Sequence, residues 1–202
     1  LTVYTPVGGE ECINKQRHSG VYDANKYCTS QISGGSNITN YESYTRIEGL
    51  QLRNNADDSC QYIFYNDGVA SSGVIVDSCI FRKEGTEVLD SIETDRDSDT
   101  TFINCVYFGV SGVGGGFKFD GTNKTLFCTI GGHSTDGLER FGGTPVVKNT
   151  IVFNGTDDWQ GTINCDHCAS DDADAGTYTN GVDWDGESTD WGNVFTDYAN
   201  GD

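Results

Sequence analysis

The tetrapeptide Cys165-Asp166-His167-Cys168 is the motif in this 202-residue chain that most directly suggests chemistry. Two cysteines separated by two residues occur in redox-active dithiols and, together with histidine, in zinc sites. A structural zinc site needs further ligands, and the sequence has no second Cys-x-x-Cys motif to supply them. We therefore expect Cys165 and Cys168 to form a disulfide that tightens a turn or to remain two unpaired thiols. A redox pair and half of a zinc site are the alternatives.

Five other cysteines fall into two groups. Cys12 and Cys28 lie 16 positions apart in the N-terminal segment and are candidates for a disulfide that stabilises this segment. Cys79, Cys105 and Cys128 occupy the same position of a repeated apolar segment, which is described below. We expect these three thiols to be buried and to pack on one another as small hydrophobic side chains. A disulfide within this group is the alternative.

Two clusters of acidic residues place carboxylates at alternate positions, as calcium-binding loops do. The side chains are Asp95, Asp97 and Asp99 in one cluster and Asp183, Asp185, Glu187 and Asp190 in the other. Neither cluster follows the EF-hand pattern. Crowded carboxylates repel one another unless a cation lies between them, so we consider calcium a candidate cofactor at one or both clusters. The alternative is a solvated acidic surface.

β-Strands must position these residues, because the composition disfavours helices. The chain has 6 Leu against 27 Val and Ile together, and it has 27 Gly. β-Branched side chains fit the pleated surface of a sheet and crowd a helix. No apolar run approaches the ~20 residues that a membrane-spanning helix needs, so we expect no membrane insertion. The formal net charge of −19 would repel phosphate, which argues against nucleic acid as a partner.

A short apolar segment occurs five times, at residues 46–52, 75–81, 102–107, 124–130 and 146–152. Its anchor positions are Leu50, Cys79, Cys105, Cys128 and Thr150, at offsets of 29, 26, 23 and 22 residues. Fixed periods of about 20–50 residues are typical of solenoids, in which each coil packs on the next. The Gly- and Asp-rich stretches between the segments predict turns and lateral loops.

The hydrophobic pattern within each segment predicts a bend. The anchor and the residue two positions later share one face of a strand, and another inward position lies three residues before the anchor. An odd step between inward positions needs a bend, and Gly49, Ser78, Asn104 and Asn149 occupy it. Phe127 holds the same place in its segment and is the one residue there whose type does not favour a turn.

Three stretches of the sequence resemble right-handed parallel β-helix proteins of the pectate-lyase-like superfamily, closest to those of phages and environmental bacteria. They are RHSGVYD (17–23), YTRIEGLQL (44–52) and VVKNTIVFNGTDDWQGT (146–162), and the similarity of pattern covers roughly residues 15–165. The resemblance implies an all-β fold, a right-handed single-stranded parallel β-helix (β-solenoid) with an N-terminal cap and an acidic C-terminal cap. We expect about five to seven coils.

The chain divides into three expected regions. Residues 1–44 are the N-terminal cap and entry segment, 45–156 are the parallel β-helix coils, and 157–202 are an acidic C-terminal coil or cap. The last 46 residues have 11 Asp and 1 Glu but no Lys or Arg. They keep several aromatic residues, which disordered acidic segments usually lack, so we expect them to fold. The absence of Met predicts a processed piece of a longer product.

Catalytic residues are not predicted. The resemblance implies either carbohydrate chemistry or an assembly role, because the superfamily contains polysaccharide lyases, glycosidases, adhesins and virion spikes. Asp171-Asp172 and Gly131-Gly132-His133 are similar to glycosidase signatures of the superfamily, but they occur in the reverse order. Polysaccharide lyases need a basic residue beside calcium-binding Asp residues, and the adjacent pair Arg82-Lys83 has no Asp trio at the matching coil position.

The expected function is a non-catalytic structural or adhesive module of an extracellular assembly or a virion surface, of the spike, fibre or capsid-decoration type, with glycan binding as a further capability. The alternative is a secreted polysaccharide lyase or glycoside hydrolase that acts in the lateral groove of the β-helix. The expected partners are further copies or a larger assembly, and polysaccharide. The acidic surface disfavours polyuronates unless calcium bridges the two.

Overall fold

The computed structural model describes residues 1–6, 17–31, 35–55, 62–67, 71–84, 91–109, 114–132, 135–153, 155–172 and 179–183. Every helix or strand assigned in these ranges is a β-strand, which confirms the predicted all-β fold. The same ranges contain no helix long and apolar enough to cross a membrane. The strands, numbered β1–β21 along the chain, form three parallel sheets.

The sheets have seven, eight and six strands. The seven-stranded sheet contains β1 (Thr2–Tyr4), β4 (Arg46–Glu48), β7 (Val74–Asp77), β10 (Thr100–Ile103), β13 (Lys124–Leu126), β16 (Val146–Lys148) and β19 (Asn164–Asp166). The eight-stranded sheet contains β2 (Cys28–Gln31), β5 (Gln51–Asn54), β8 (Ile80–Lys83), β11 (Val106–Gly109), β14 (Thr129–Gly131), β17 (Ile151–Phe153), β20 (Ala169–Ser170) and β21 (Val182–Asp183). The six-stranded sheet contains β3 (Ile38–Asn40), β6 (Phe64–Asn66), β9 (Ile92–Ser98), β12 (Phe117–Gly121), β15 (Asp136–Arg140) and β18 (Asp157–Gln160).

From β1 to β20 the chain visits the three sheets in a fixed rotation, so each complete pass adds one strand to every sheet. Strands β7, β8 and β9 form one coil, and β10, β11 and β12 of the next coil pair with them in parallel. The fold is therefore a parallel β-solenoid, as the period predicts. The right-handed winding and the two caps stay predictions. Strands β1–β3 of residues 1–44 and β18–β21 of residues 157–202 join the same three sheets.

The six-stranded sheet corrects the sequence analysis, which assigned the stretches between the repeated segments to turns and lateral loops. In each of these strands an apolar residue that faces the core is followed by a polar residue or a tyrosine that faces outward. The inward column is Phe64, Ile92, Phe117, Leu138 and Trp159. All five are buried in the solenoid core. The coil is thus closed by a third strand whose apolar side chains complete the core.

The predicted bend lies between the seven-stranded and eight-stranded sheets. Gly49, Ser78, Asn104 and Asn149 have left-handed φ values of 67°, 52°, 52° and 50° there. Phe127 adopts the same conformation with a φ of 56°, although its residue type did not favour it. Phe127 is 61% exposed, so most of its bulky side chain lies in solvent at this outward corner. The solenoid geometry therefore overrides the residue preference at this corner.

The Cys-x-x-Cys motif is a further copy of the repeated segment. His167 occupies the bend with a φ of 56°, and Cys165 pairs with the inward Val147 of the preceding coil. Cys168 therefore stands at the anchor position, one coil beyond Thr150. This copy is not apparent from the apolar pattern, because its two cysteines and its histidine resemble a separate chemical motif.

Cys79, Cys105 and Cys128 form the buried column that the anchor positions predict. Each is at most 2% exposed. The Cys105 thiol donates to the carbonyl of Ile103 (3.3 Å) within its own coil and lies 3.5 Å from the carbonyl of Val76 in the preceding coil. Burial, together with hydrogen bonds to the Cys79 and Cys128 thiols, raises the pKa of Cys105.

Residues 17–27, here called the N-terminal strap, cover the outside of the bend and part of the eight-stranded sheet. The His18 Nε2 atom lies 2.8 Å from the carbonyl oxygen of Ser78, and the Gly20 amide donates to His18 Nδ1 (3.1 Å). The Arg82 guanidinium lies 4.5 Å from the centroid of the Tyr22 ring. Burial lowers the pKa of His18, which keeps the imidazole neutral in this contact.

Candidate functional site

The outward side chains of the six-stranded sheet form the candidate site, here called the outer face. Because strands alternate their side chains, the residues between the inward apolar ones point away from the core. The column contains Thr39, Tyr65, Glu93, Lys118, Glu139 and Gln160. Neighbouring strands lie ~4.8 Å apart, so the column spans about 24 Å. The distance of ~4.8 Å between neighbouring strands is comparable with the length of one hexose unit in an extended polysaccharide.

Tyr65 and Tyr62 provide an aromatic platform on this face. Their ring centroids are 4.8 Å apart with an interplanar angle of 26°, and both side chains are partly exposed. Burial first, and then the nearby carboxylates of Asp67 and Asp95, raise the pKa of Tyr65. The phenol therefore stays neutral and can donate a hydrogen bond throughout the physiological pH range.

Lys118 links the aromatic and acidic parts of the face. Its Nζ atom is 3.6 Å from Oε2 of Glu93 and lies 4.8 Å from the centroid of the Phe141 ring. The Phe141 ring is 60% exposed, so one edge or face of it is open to a ligand. The ion pair and the cation–π contact hold the lysine amine over the sheet.

Further carboxylates lie on β15 and β18 of this sheet. Asp136 and Asp157 are adjacent in the register of β15 and β18, and Gln160 Nε2 donates to Asp136 Oδ1 (3.2 Å). Glu139 lies beside Lys118 in the next strand. The described part of the face is therefore acidic, with hydrogen-bond acceptors that suit hydroxyl groups and repel anionic polymers.

The predicted calcium ligands are only partly covered by the structure. Asp95 lies in β9, and Asp99 follows this strand and pairs with Lys124, whose Nζ atom is 3.4 Å from Asp99 Oδ1. Among the described side chains, no group of three or more could hold a metal ion. The side chains of Asp97 and Asp183, and the residues Asp185, Glu187 and Asp190, lie outside that description. Calcium at these clusters stays a prediction.

The predicted disulfides are not formed among the described residues. Cys28, Cys165 and Cys168 are free thiols, and Cys12 lies outside the described ranges. The Cys28 thiol lies 3.6 Å from the hydroxyl oxygen of Tyr22. For Cys165 and Cys168 the structure shows the second of the two expected states, two unpaired thiols that face the core on either side of a bend.

The residues that resembled catalytic signatures have packing roles. Arg82 is held by Glu84, with 2.6 Å between Arg82 Nε and Glu84 Oε1, and belongs to a different sheet from the outer face. Gly131 leaves room for the Phe153 ring, which any side chain there would meet. Gly132 has a φ of 69° and touches the backbone of Gly109. His133 lies outside the described residues.

Asp171 and Asp172 form hydrogen bonds with Asp158, a buried residue that the sequence patterns did not indicate. The Asp171 amide donates to Oδ2 of Asp158 (3.0 Å), and the Asp158 amide donates to Oδ2 of Asp172 (2.5 Å). Asp158 has no exposed surface. These bonds fasten the segment after β20 to β18 and give the Asp pair a structural role.

The residues of the outer face were also missed, although the sequence carries a signal for them. Tyr65, Glu93, Lys118 and Glu139 recur at offsets of 28, 25 and 21 residues, close to the offsets of the anchors. Each follows a buried apolar residue, which is Phe64, Ile92, Phe117 or Leu138 in turn.

Comparison of this chain with protein-family models, curated proteins and solved structures finds no match.

Proposed function

We propose that this chain is a non-catalytic structural or adhesive β-solenoid module of an extracellular assembly or virion surface, and that its outer face binds neutral polysaccharide. The relation to the pectate-lyase-like superfamily and to its phage members is part of this proposal. The observation that carries the binding function is the stacked Tyr62–Tyr65 pair on the same face as Lys118 and the exposed Phe141 ring.

Aromatic rings and carboxylates together suit a sugar polymer. A pyranose ring has a C–H face, which packs on an aromatic ring, and equatorial hydroxyls, which donate to carboxylates. Tyr65 and Phe141 supply the first kind of contact, and Glu93 and Glu139 supply the second. The regular spacing of the strands repeats these contacts along the solenoid axis, which favours an extended polymer over a compact ligand.

The charge of the face supports a neutral polymer over a polyuronate. A polymer with a carboxylate on each sugar would meet like charge at Glu93, Glu139 and Asp136. A non-catalytic role is supported by the packing of Arg82 against Tyr22 and Glu84, and by the hydrogen bonds that hold Asp171 and Asp172 at Asp158.

Affinity gel electrophoresis with embedded polysaccharides tests this proposal. We expect a neutral glucan to retard the protein and polygalacturonate without calcium to leave it unretarded. The variants Tyr65→Ala and Phe141→Ala should each lose about tenfold in affinity, ~1.4 kcal/mol. Phe127→Ala is the matched control, because that ring is equally exposed but lies at another corner of the solenoid.

Two outcomes contradict the proposal. Equal loss of retardation in Phe127→Ala and Tyr65→Ala would show that binding does not involve the outer face. Release of reducing ends or of unsaturated sugars by the wild-type protein would favour the enzymatic alternative.

A further inference from the structure

The two thiols of the Cys-x-x-Cys motif lie in the last complete turn that the structure describes. Among the described residues, Cys165 belongs to β19, the last strand of the seven-stranded sheet, and Cys168 precedes β20, after which its sheet has the two-residue β21. Cys105, in contrast, lies between coils on both sides. Beyond β19 the described residues add one isolated bridge, between Asp166 and Thr179, and beyond β20 they add two paired residues. A coil with so few paired residues on one side opens at lower free-energy cost than a central one.

The two thiols face each other across the bend. Both are buried, at 4% and 2% exposure for Cys165 and Cys168. The Cys168 thiol approaches the carbonyls of Asp166 (3.5 Å) and Val147 (3.6 Å), so it points to the inner side of the bend. The residue three positions before the anchor is apolar or Thr in each of the described coils before this one. Among the described residues, one coil therefore has cysteines at both the anchor and this position.

The hydrogen bond between the two thiols lowers the pKa of one and raises the pKa of the other. The hydrogen bond from Cys165 lowers the pKa of Cys168 to about 7, although burial opposes this shift. The same contact, together with burial, raises the pKa of Cys165. A thiol that ionises near neutral pH is the one that attacks a disulfide.

An open cavity of about 350 Å³ lies on the outer side of this bend and touches Cys168. It is lined by the bend residues Asn149, His167 and Asn180, by Cys168, and by the outward residues Ile151 and Val182. His167 Nδ1 is held 2.7 Å from Asp166 Oδ1, and Asn180 Nδ2 donates to the same oxygen (2.9 Å). The cavity gives a small molecule a place to bind next to the Cys168 backbone, where an opening of the end coil would expose the thiol.

We propose that Cys165 and Cys168 form a thiol–disulfide exchange site for small aliphatic disulfides, in which Cys168 attacks and Cys165 resolves. The Cys168 thiolate attacks one sulfur of the small disulfide, forms a mixed disulfide and releases the other half as a thiolate. The Cys165 thiol then loses its proton and attacks Cys168 Sγ, which forms the Cys165–Cys168 disulfide and releases the second half as a thiol. Two protein thiols are oxidised, and one small disulfide is reduced to two thiols.

Incubation of the native protein with oxidised glutathione, followed by peptide mass mapping, tests this site. We expect the peptide with residues 165–168 to lose about 2 Da, the mass of two hydrogens, on formation of an internal disulfide. Peptides with Cys79, Cys105 and Cys128 should remain unmodified over the same time. The variant Cys165→Ser should stop at a glutathione adduct on Cys168, and Cys168→Ser should form no internal disulfide.

Cys105→Ser is the matched control, because it alters a thiol of the central column and should leave exchange at residues 165–168 unchanged. Circular dichroism establishes whether each variant is folded. If Cys165→Ser is not folded, the wild-type pair is instead blocked with one equivalent of an arsenical that bridges two thiols, and this blocked protein replaces the variant. The proposal is overturned if the 165–168 peptide keeps its mass in folded wild-type protein, or if Cys105 reacts as fast as Cys168.

Discussion

Replacement of Phe102 by alanine tests the aromatic core on which the three-sheet arrangement depends. Phe102 is fully buried, with its ring centroid 5.0 Å from Phe117, 5.8 Å from Phe64 and Phe119, and 6.5 Å from Phe81. These partners come from the six-stranded and eight-stranded sheets, so the ring joins all three sheets. A buried Phe→Ala change costs about 3–5 kcal/mol, and aromatic pairs add about 0.5–1.5 kcal/mol each. We therefore expect a loss near the top of the range, about 4–5 kcal/mol.

Urea unfolding followed by tryptophan fluorescence measures this loss, since Trp159 is buried in the same core. Phe141→Ala is the control, because its ring is 60% exposed and its removal should change the free energy of unfolding by less than about 0.5 kcal/mol. A loss below about 2 kcal/mol for Phe102→Ala, or equal losses for the two variants, would refute the proposed packing.

Two further perturbations test the N-terminal strap and the acidic clusters. The pKa of His18 in the folded protein lies below the usual histidine value of about 6.5, so the stability that His18 contributes is present above that value and is lost as the pH falls through the folded pKa. Proteolysis of the strap should therefore accelerate in this acidic range in wild-type protein and show no such pH dependence in His18→Gln. Chelator at low ionic strength should lower the melting temperature, and calcium should restore it better than sodium chloride of equal ionic strength. Equal rescue by both salts would show that the acidic clusters are a solvated surface.

The repeated segment could be predicted because its inward positions are short, apolar and evenly placed around a bend. Leu50, Cys79 and Cys105 recur at nearly constant offsets, and their thiols and methyl groups stack in the core as expected. Phe127 and His167 show why residue preference alone fails at the bend. The stacked coils impose a left-handed conformation there, and an outward corner accepts a large side chain without a clash.

The third sheet and its outer face could not be predicted from composition. Phe117 and Phe119 belong to β12, which is flanked by glycines and an aspartate of the kind typical of turns, and the loops before the strands of this sheet vary in length. A strand in the middle of such a stretch is stabilised by its inward neighbours, Ile92 and Leu138, more than by its own propensity. Tyr65 and Lys118 gain their significance only when the register brings them to one face.

Hydroxyl-radical footprinting of the protein with and without a saturating neutral glucan tests the central claim, polysaccharide binding on the outer face, most directly. The account predicts that Tyr62, Tyr65 and Phe141 become protected from oxidation in the complex. Phe127 and Tyr44, which are 61% and 77% exposed, should react equally in both states. Protection of Phe127 or Tyr44 with unchanged reactivity of Tyr65 and Phe141 would contradict the account.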